Sequence, residues 1–185
     1  MEADLFKTGF VYAHAGTGGV IRSLDVIMDL RWLHSCLKDP RLLTNKTLDR
    51  KESRLALHYM RLLATSNAHA YVYTIDQDPI VQLELIPFPM AGLDSDVEFR
   101  DAYVMYFRFS PGRRENTDQL IDALRLAALM VFQFMPGSRL VLPIPKGNFI
   151  EEKVAVAAGF VPIESAASLQ VEYFRFLAGN YLGTT

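Results

Sequence analysis

The chain has few residues that could move a proton, and the foremost is Glu84. It lies in the alternating run 80–86, where Gln82, Glu84 and Ile86 share one face. In a cleft, this carboxylate could bind a cationic amine or, through water, take its proton, provided burial lifts its pKa toward neutrality; on a solvated face it would do neither. Tyr103 and Tyr106 fall on opposite faces of the next extended run, so at most one can meet a ligand. Tyr103 is the better candidate, with packing the competing role for both. Asp101 could steer an amine at the strand entry or simply cap a turn. His14, His34, His58 and His69 sit on separate segments with no His-x-x-x-His pair, which argues against a metal site. There is no Gly-x-Ser-x-Gly elbow to support a serine hydrolase. A single cysteine, Cys36, can form neither an internal disulfide nor a thiolate cluster, and reads as a packed small side chain.

These residues depend on elements that the periodicity lays out in order. Two alternating segments, 6–15 and 20–24, flank Gly16-Thr-Gly-Gly19 and predict a hairpin. No Gly-Lys-Ser/Thr follows, so a phosphate loop is disfavoured there. Asp25 precedes a helix over 26–37 whose Ile27, Leu30, Leu33 or His34 and Leu37 recur at helical spacing. A second helix starts at Asp49, with Glu52 completing a capping box and Leu55, Tyr59, Leu62 and Leu63 on one side. The period then becomes two: strands over 70–75 and 80–86, turning through Asp76-Gln-Asp-Pro79, and a third over 102–109 whose Tyr103, Met105, Phe107 and Phe109 form a core-facing stripe. A long helix runs from about 116 to 134, apolar on all sides at its middle. Last come a strand over 140–144, a helix led by Asn148 and ended by Gly159-Phe160, and extended segments over 161–165 and 169–176. Asn148 can cap its helix and Gly159 can take the left-handed conformation that stops it.

With 185 residues, the chain can bury a full core as one domain, 1–185, with 1–19 as an extra strand or hairpin arm. Nineteen basic against 21 acidic residues leave no footprint for nucleic acid. The beginning lacks a long apolar run, and 120–134 is too short and too charged at its start to span a bilayer. No membrane partner is expected, and the cytoplasm is the expected compartment.

The strand over 140–144, the Asn-led helix and its Gly-Phe ending, following the hairpin, two helices, three strands and long helix, resemble the GCN5-related N-acetyltransferase superfamily over residues 20–177. Within it, Asp29-Leu-Arg-Trp-Leu33, Lys38-Asp-Pro-Arg41, Asp78-Pro-Ile80 with Glu84, and 120–134 are similar to the branch of aminoglycoside 6'-acetyltransferases and siderophore-building acyltransferases. The resemblance implies an α+β fold: a mixed, mostly antiparallel central sheet of about six to seven strands flanked by about four helices.

It also implies an acyl-CoA-dependent N-acyltransferase using acetyl-CoA or another acyl-CoA, no metal, and a small-molecule amine as acceptor, attacked directly on the thioester. In the family, the strand before the long helix splays from its neighbour, and the amides of the following loop and helix start hold the coenzyme A pyrophosphate. Here that implies backbone pairing along 104–109, with Phe107 and Phe109, and diphosphate contacts from Gly112, Arg113, Arg114, Asn116 and Thr117, while Asn148 helps hold the coenzyme arm. Glu84 would bind or deprotonate the amine. The sequence departs from the family in three places. Glu115 and Thr117 stand where the loop usually has small residues, Ala155 where a tyrosine acid is usual, and Tyr103, Val104 and Met105 where the siderophore-type relatives carry a histidine. These departures sustain an alternative, a catalytically impaired protein of this fold acting as a ligand-binding or interaction module. A homodimer formed through exposed Phe174 and Phe176 is a third reading.

Overall fold

In a computed structural model, residues 5–15, 17–37, 52–91, 99, 101–109, 116–163 and 171–176 are described. The elements run β1 (Val11–Tyr12), β2 (Val20–Ser23), α1 (Val26–Leu37), α2 (Glu52–Leu63), β3 (His69–Ile75), β4 (Asp78–Pro87), a short 3-10 turn at Phe88–Met90, β5 (Ala102–Phe109), α3 (Thr117–Phe134), β6 (Arg139–Pro145), α4 (Phe149–Ala157), β7 (Phe160–Pro162) and β8 (Val171–Phe176). One sheet takes all eight strands in the order β1-β2-β3-β4-β5-β6-β8-β7. That exceeds the six to seven expected, because the N-terminal hairpin pairs onto β3 through Val20↔Thr74 to Ser23↔Tyr71. Every neighbouring pair is antiparallel except β5 and β6, which α3 joins as a crossover.

The alternation of each strand sorts side chains between two layers. One face carries Leu83, Leu85, Met105, Phe107 and Phe109 against α3 and α4, in the main core. Small residues on α3, Ala123, Ala127 and Ala128, are fully buried and let the helix lie close to the sheet. The other face meets α1 and α2 through Leu33, Leu55, Tyr59, Leu62 and Val72. The N-terminal segment is tied in as well: Tyr71 Oη donates to Leu5 O (2.7 Å) and Tyr12 Oη to Gln133 Oε1 (2.8 Å).

Helix α1 starts on a strong cap. Asp25 Oδ1 accepts from the N–H groups of Ile27 (2.9 Å) and Met28 (3.1 Å), while Asp29 reaches back to Asp25 N (2.9 Å) and forks onto Arg22 of β2 at 2.8 and 2.7 Å. This clamp turns Asp29, Leu33 and Cys36 inward and leaves Ile27 89% exposed, so Ile27 does not belong to the buried stripe expected of it. The Asp49 cap expected for α2 lies outside the described residues.

Two glycine-related details carry stability predictions. The β3–β4 turn is tighter than expected: Asp76 (φ 50°) and Gln77 (φ 70°) are the two left-handed residues of a hairpin turn, and Asp78 already belongs to β4. Left-handed backbone costs a non-glycine about 1–2 kcal/mol, and glycine's extra freedom when unfolded costs roughly 0.5–1 kcal/mol. Gln77→Gly should therefore raise denaturant-measured stability by about 0.5–1 kcal/mol. Gly19, in contrast, is set by space. A Cβ there would lie 2.5 Å from the ring of Tyr73, which is fully buried on β3. Gly19→Ala should cost about 1–3 kcal/mol by forcing that ring to move, read as a lowered urea midpoint.

Candidate active site

An opening inside the sheet is the first element of the site. β5 and β6 pair only at Ala102↔Arg139, Tyr103↔Leu140 and Val104↔Val141. Beyond that, β5 stays on β4 as far as Val81↔Phe109, and β6 stays on β8 as far as Pro145↔Val171. A wedge results, with the inner backbone edges of Met105 to Phe109 and of Leu142 to Pro145 turned toward each other across it. The sequence supplies the cause. Pro143 and Pro145 are two apart, so their missing N–H donors lie on one edge of β6. The ladder to β8 continues through both residues, which puts the missing donors on the β5 side and stops the parallel ladder there.

At the wide end of the wedge, β5 leads through residues 110–115, outside the described set, to the N-terminus of α3. Asn116 is the N-cap, but its side chain makes no capping hydrogen bond, and Asn116, Thr117 and Asp118 are exposed. The first amides of α3 are thus not taken up by their own cap residue, which is the arrangement an anion can use. The same holds at α4: Asn148 occupies the N-cap position and its carbonyl accepts from Glu152 N (3.0 Å), yet its side chain makes no cap bond, contrary to expectation. Gly159 does end this helix with φ +100°, and Arg125 Nη2 donates to Ala157 O at 2.6 Å.

Beside the wedge, on the α1/α2 face, lies a buried polar cluster. Tyr59 Oη of α2 donates to Glu84 Oε1 (2.8 Å), Gln82 Nε2 donates to the same oxygen (3.2 Å), and Arg108 of β5 forms an ion pair with it. Arg108 Nη1 also donates to Gln82 Oε1 (2.6 Å) and Tyr59 Oη (3.1 Å). Glu84 is 1% exposed. Burial by itself pushes its carboxyl pKa up, but the charge and hydrogen bond of Arg108, with smaller help from His58 and Tyr59, hold it below the usual value. The lift toward neutrality that a general base would need therefore does not occur. The same surroundings raise the Tyr59 hydroxyl, mainly by burial and then by Glu84, and push the buried Cys36 thiol up to about 12, mainly by burial.

The sequence-derived candidates are thus divided. Glu84 faces α2, whereas Tyr103 lies on the α3 face, stacked on Phe6 with ring centroids 6.0 Å apart. Tyr106, not Tyr103, shares the Glu84 face: the two are register partners, and the Tyr106 hydroxyl, pushed up to about 12 by burial and Glu84, makes one long bond to Ala91 O (3.5 Å). Asp101 is exposed at the start of β5. Phe107 and Phe109 place their rings in the main core, leaving only backbone to the wedge. Gly112, Arg113 and Arg114 lie outside the described residues. Phe174 and Phe176 are buried, the latter against Phe132 and Phe160, so they offer no dimer surface. No site role was expected of Arg108, Tyr59 or Gln82; the available signals were Gln82 on the Glu84 face and a lone arginine between Phe107 and Phe109.

No family profile matches the chain, and no curated protein matches its sequence. Solved structures do match, over nearly their whole length. The aminoglycoside acetyltransferase AAC(6')-Ib in complex with paromomycin and acetyl-CoA has a TM-score of 0.71 at 13% identity, covering 89% of this chain and 96% of that one. The chain has the GCN5-related N-acetyltransferase fold. A chimera of the spermidine N-acetyltransferase SpeG of Vibrio cholerae with hSSAT gives 0.65 at 16% identity, covering 91% and 100%. An uncharacterized protein of Bacillus halodurans gives 0.73 at 13%, covering 93% and 91%. Within this fold, the position expected of the tyrosine acid is Ala155, fully buried in the main core. Among the described residues, no group of three or more His, Cys, Asp or Glu stands close enough to hold a metal, and no helix is long and apolar enough to cross a membrane.

Proposed function

We propose that the protein is an acyl-CoA-dependent N-acyltransferase that transfers an acetyl group to the primary amine of a small molecule. The observation that carries this reading is the wedge between β5 and β6, whose wide end leads along the chain to α3, a helix that takes no side-chain cap from Asn116. An extended pantetheine arm can add to the free edge of β5 along 104–109 as an extra strand would. The diphosphate would then meet Gly112, Arg113, Arg114 and the amides around Asn116 and Thr117, with Asn148 at the head of α4 beside the arm. Of the proteins sharing the fold, one is named for acetylating spermidine and another is held with acetyl-CoA, in keeping with this chemistry.

The acceptor nitrogen, as the neutral amine, attacks the thioester carbonyl directly. The C–S bond breaks, coenzyme A leaves as a thiolate, and the nitrogen's surplus proton reaches it through water, since Ala155 has no proton to give. Asp101, exposed at the narrow end of the wedge and seven residues before Arg108, is suited only to attract the acceptor's charge from a distance. Glu84 is committed to Arg108 and Tyr59, so its part is to hold those two groups in place, and loss of the ammonium proton falls to water. A second reading, a non-catalytic binding module of the same fold, is favoured by Ala155 and by the sequestered Glu84. Calorimetric titration with acetyl-CoA and with desulfo-coenzyme A separates the two. Micromolar binding supports the transferase, and no binding at millimolar ligand sinks it.

A further inference from the structure

Arg108 has donors that its own cluster does not use. A guanidinium carries five N–H groups, yet its three hydrogen bonds among the described residues all leave from Nη1. The other edge, Nε and Nη2, has no hydrogen-bond partner among the described residues, although the residue is only 3% exposed. Neither atom is among the sealed, unpartnered polar atoms of the described residues, so this edge is the part of the guanidinium still able to take an acceptor. Buried donors without acceptors are rare in folded proteins and call for a water, an ion or a ligand group.

The position indicates which ligand. Arg108 is four residues beyond Val104, the last β5 residue paired with β6, so it stands toward the wide end of the wedge. Its side chain is on the α1/α2 face, as are Glu84 and the half-buried Tyr106, away from α3. If the acyl donor lies along the backbone edge and α3, as proposed above, the molecule reaching Arg108 from this face is the acceptor. Among the described residues, the only carboxylate of the buried cluster is already paired, which makes the cluster a poor host for a polycation. A guanidinium edge, in contrast, matches a carboxylate in two parallel hydrogen bonds.

We propose that the Nε/Nη2 edge of Arg108 binds a carboxylate on the acceptor, so that the acceptor is an amino acid rather than a polyamine. This rests on the transferase reading, and the test keeps the two apart. Acetyl transfer to lysine, phenylalanine, glutamate and alanine is compared with transfer to their carboxamides and decarboxylated amines. The free acid of at least one set should be preferred by about tenfold to a hundredfold in kcat/KM, the range of a charge-assisted contact. Arg108→Lys, checked for folding by thermal melting, should remove most of that preference and leave the KM for acetyl-CoA unchanged. Calorimetry of the wild-type protein with the same acids and carboxamides gives a readout that needs neither catalysis nor a variant. If desulfo-coenzyme A fails to bind while an amino acid binds and its carboxamide does not, the transferase reading falls and the carboxylate site stands. Equal or better use of the carboxamides or amines, or no binding of any of the acids, overturns the proposal.

Discussion

Glu84→Gln will destabilise the protein by about 3–5 kcal/mol, the cost of leaving one member of a buried ion pair without its partner. The substitution keeps the shape of the side chain, so the loss reports charge: Arg108 would remain buried with only neutral acceptors around it. Equilibrium urea unfolding at neutral pH gives the number, and a loss under about 1 kcal/mol, the scale of an exposed pair, would mean that water reaches the cluster. Replacing both members, Glu84→Leu with Arg108→Met, should recover most of the loss, since apolar side chains of similar volume often substitute for a buried pair at little cost. The pH dependence has a definite sign. The folded carboxyl pKa lies below the ordinary 4.5, so its stabilisation is complete above that value and is lost as pH falls through the folded pKa. Wild type should therefore lose its margin over Glu84→Gln on acidification, and a margin that holds at acid pH would contradict the pair.

Arg113→Ala and Arg114→Ala should each weaken acetyl-CoA binding by about tenfold to a hundredfold if they touch the diphosphate, as expected for loss of a charge-assisted hydrogen bond. Desulfo-coenzyme A should show the same loss, because the contact is far from the sulfur. The wild-type affinity should fall with added salt more steeply than that of the double variant. Calorimetry at two ionic strengths reads both effects. Unchanged affinity in the double variant would remove these arginines from the site and leave the α3 amides as its anion-binding part.

Much of the framework was legible because its signals are local. The switch from helical to alternating period located β5 at its observed limits, and the start of α3 fell within one residue of expectation. What escaped depends on pairing across the chain. Glu84 and Arg108 are 24 residues apart, and nothing near either one tells that antiparallel pairing of β4 with β5 brings them together. Burial alone suggested a raised carboxyl pKa, and the unseen partner reversed it. Tyr59 was recognised as part of an apolar stripe, which it is, but its hydroxyl acquires a role only when α2 lies over β4. Phe174 and Phe176 were misassigned because position along the chain does not reveal that β8 lies between β6 and β7 and turns both rings into the main core. Asn116 and Asn148 have the identity and place of caps, but neither side chain makes the bond.

The two prolines of β6 decide how the wedge holds open. A gap between strands that could hydrogen-bond would tend to close into continuous sheet whenever no ligand held it apart, and each binding event would first have to break that ladder. Pro143 and Pro145 remove this competing state, since the edge facing β5 lacks the donors needed to zip shut. Under the transferase reading the slot would be preorganised: its opening is set by the strand sequence, and an arriving pantetheine arm would find unpaired backbone on β5 without having to displace a strand.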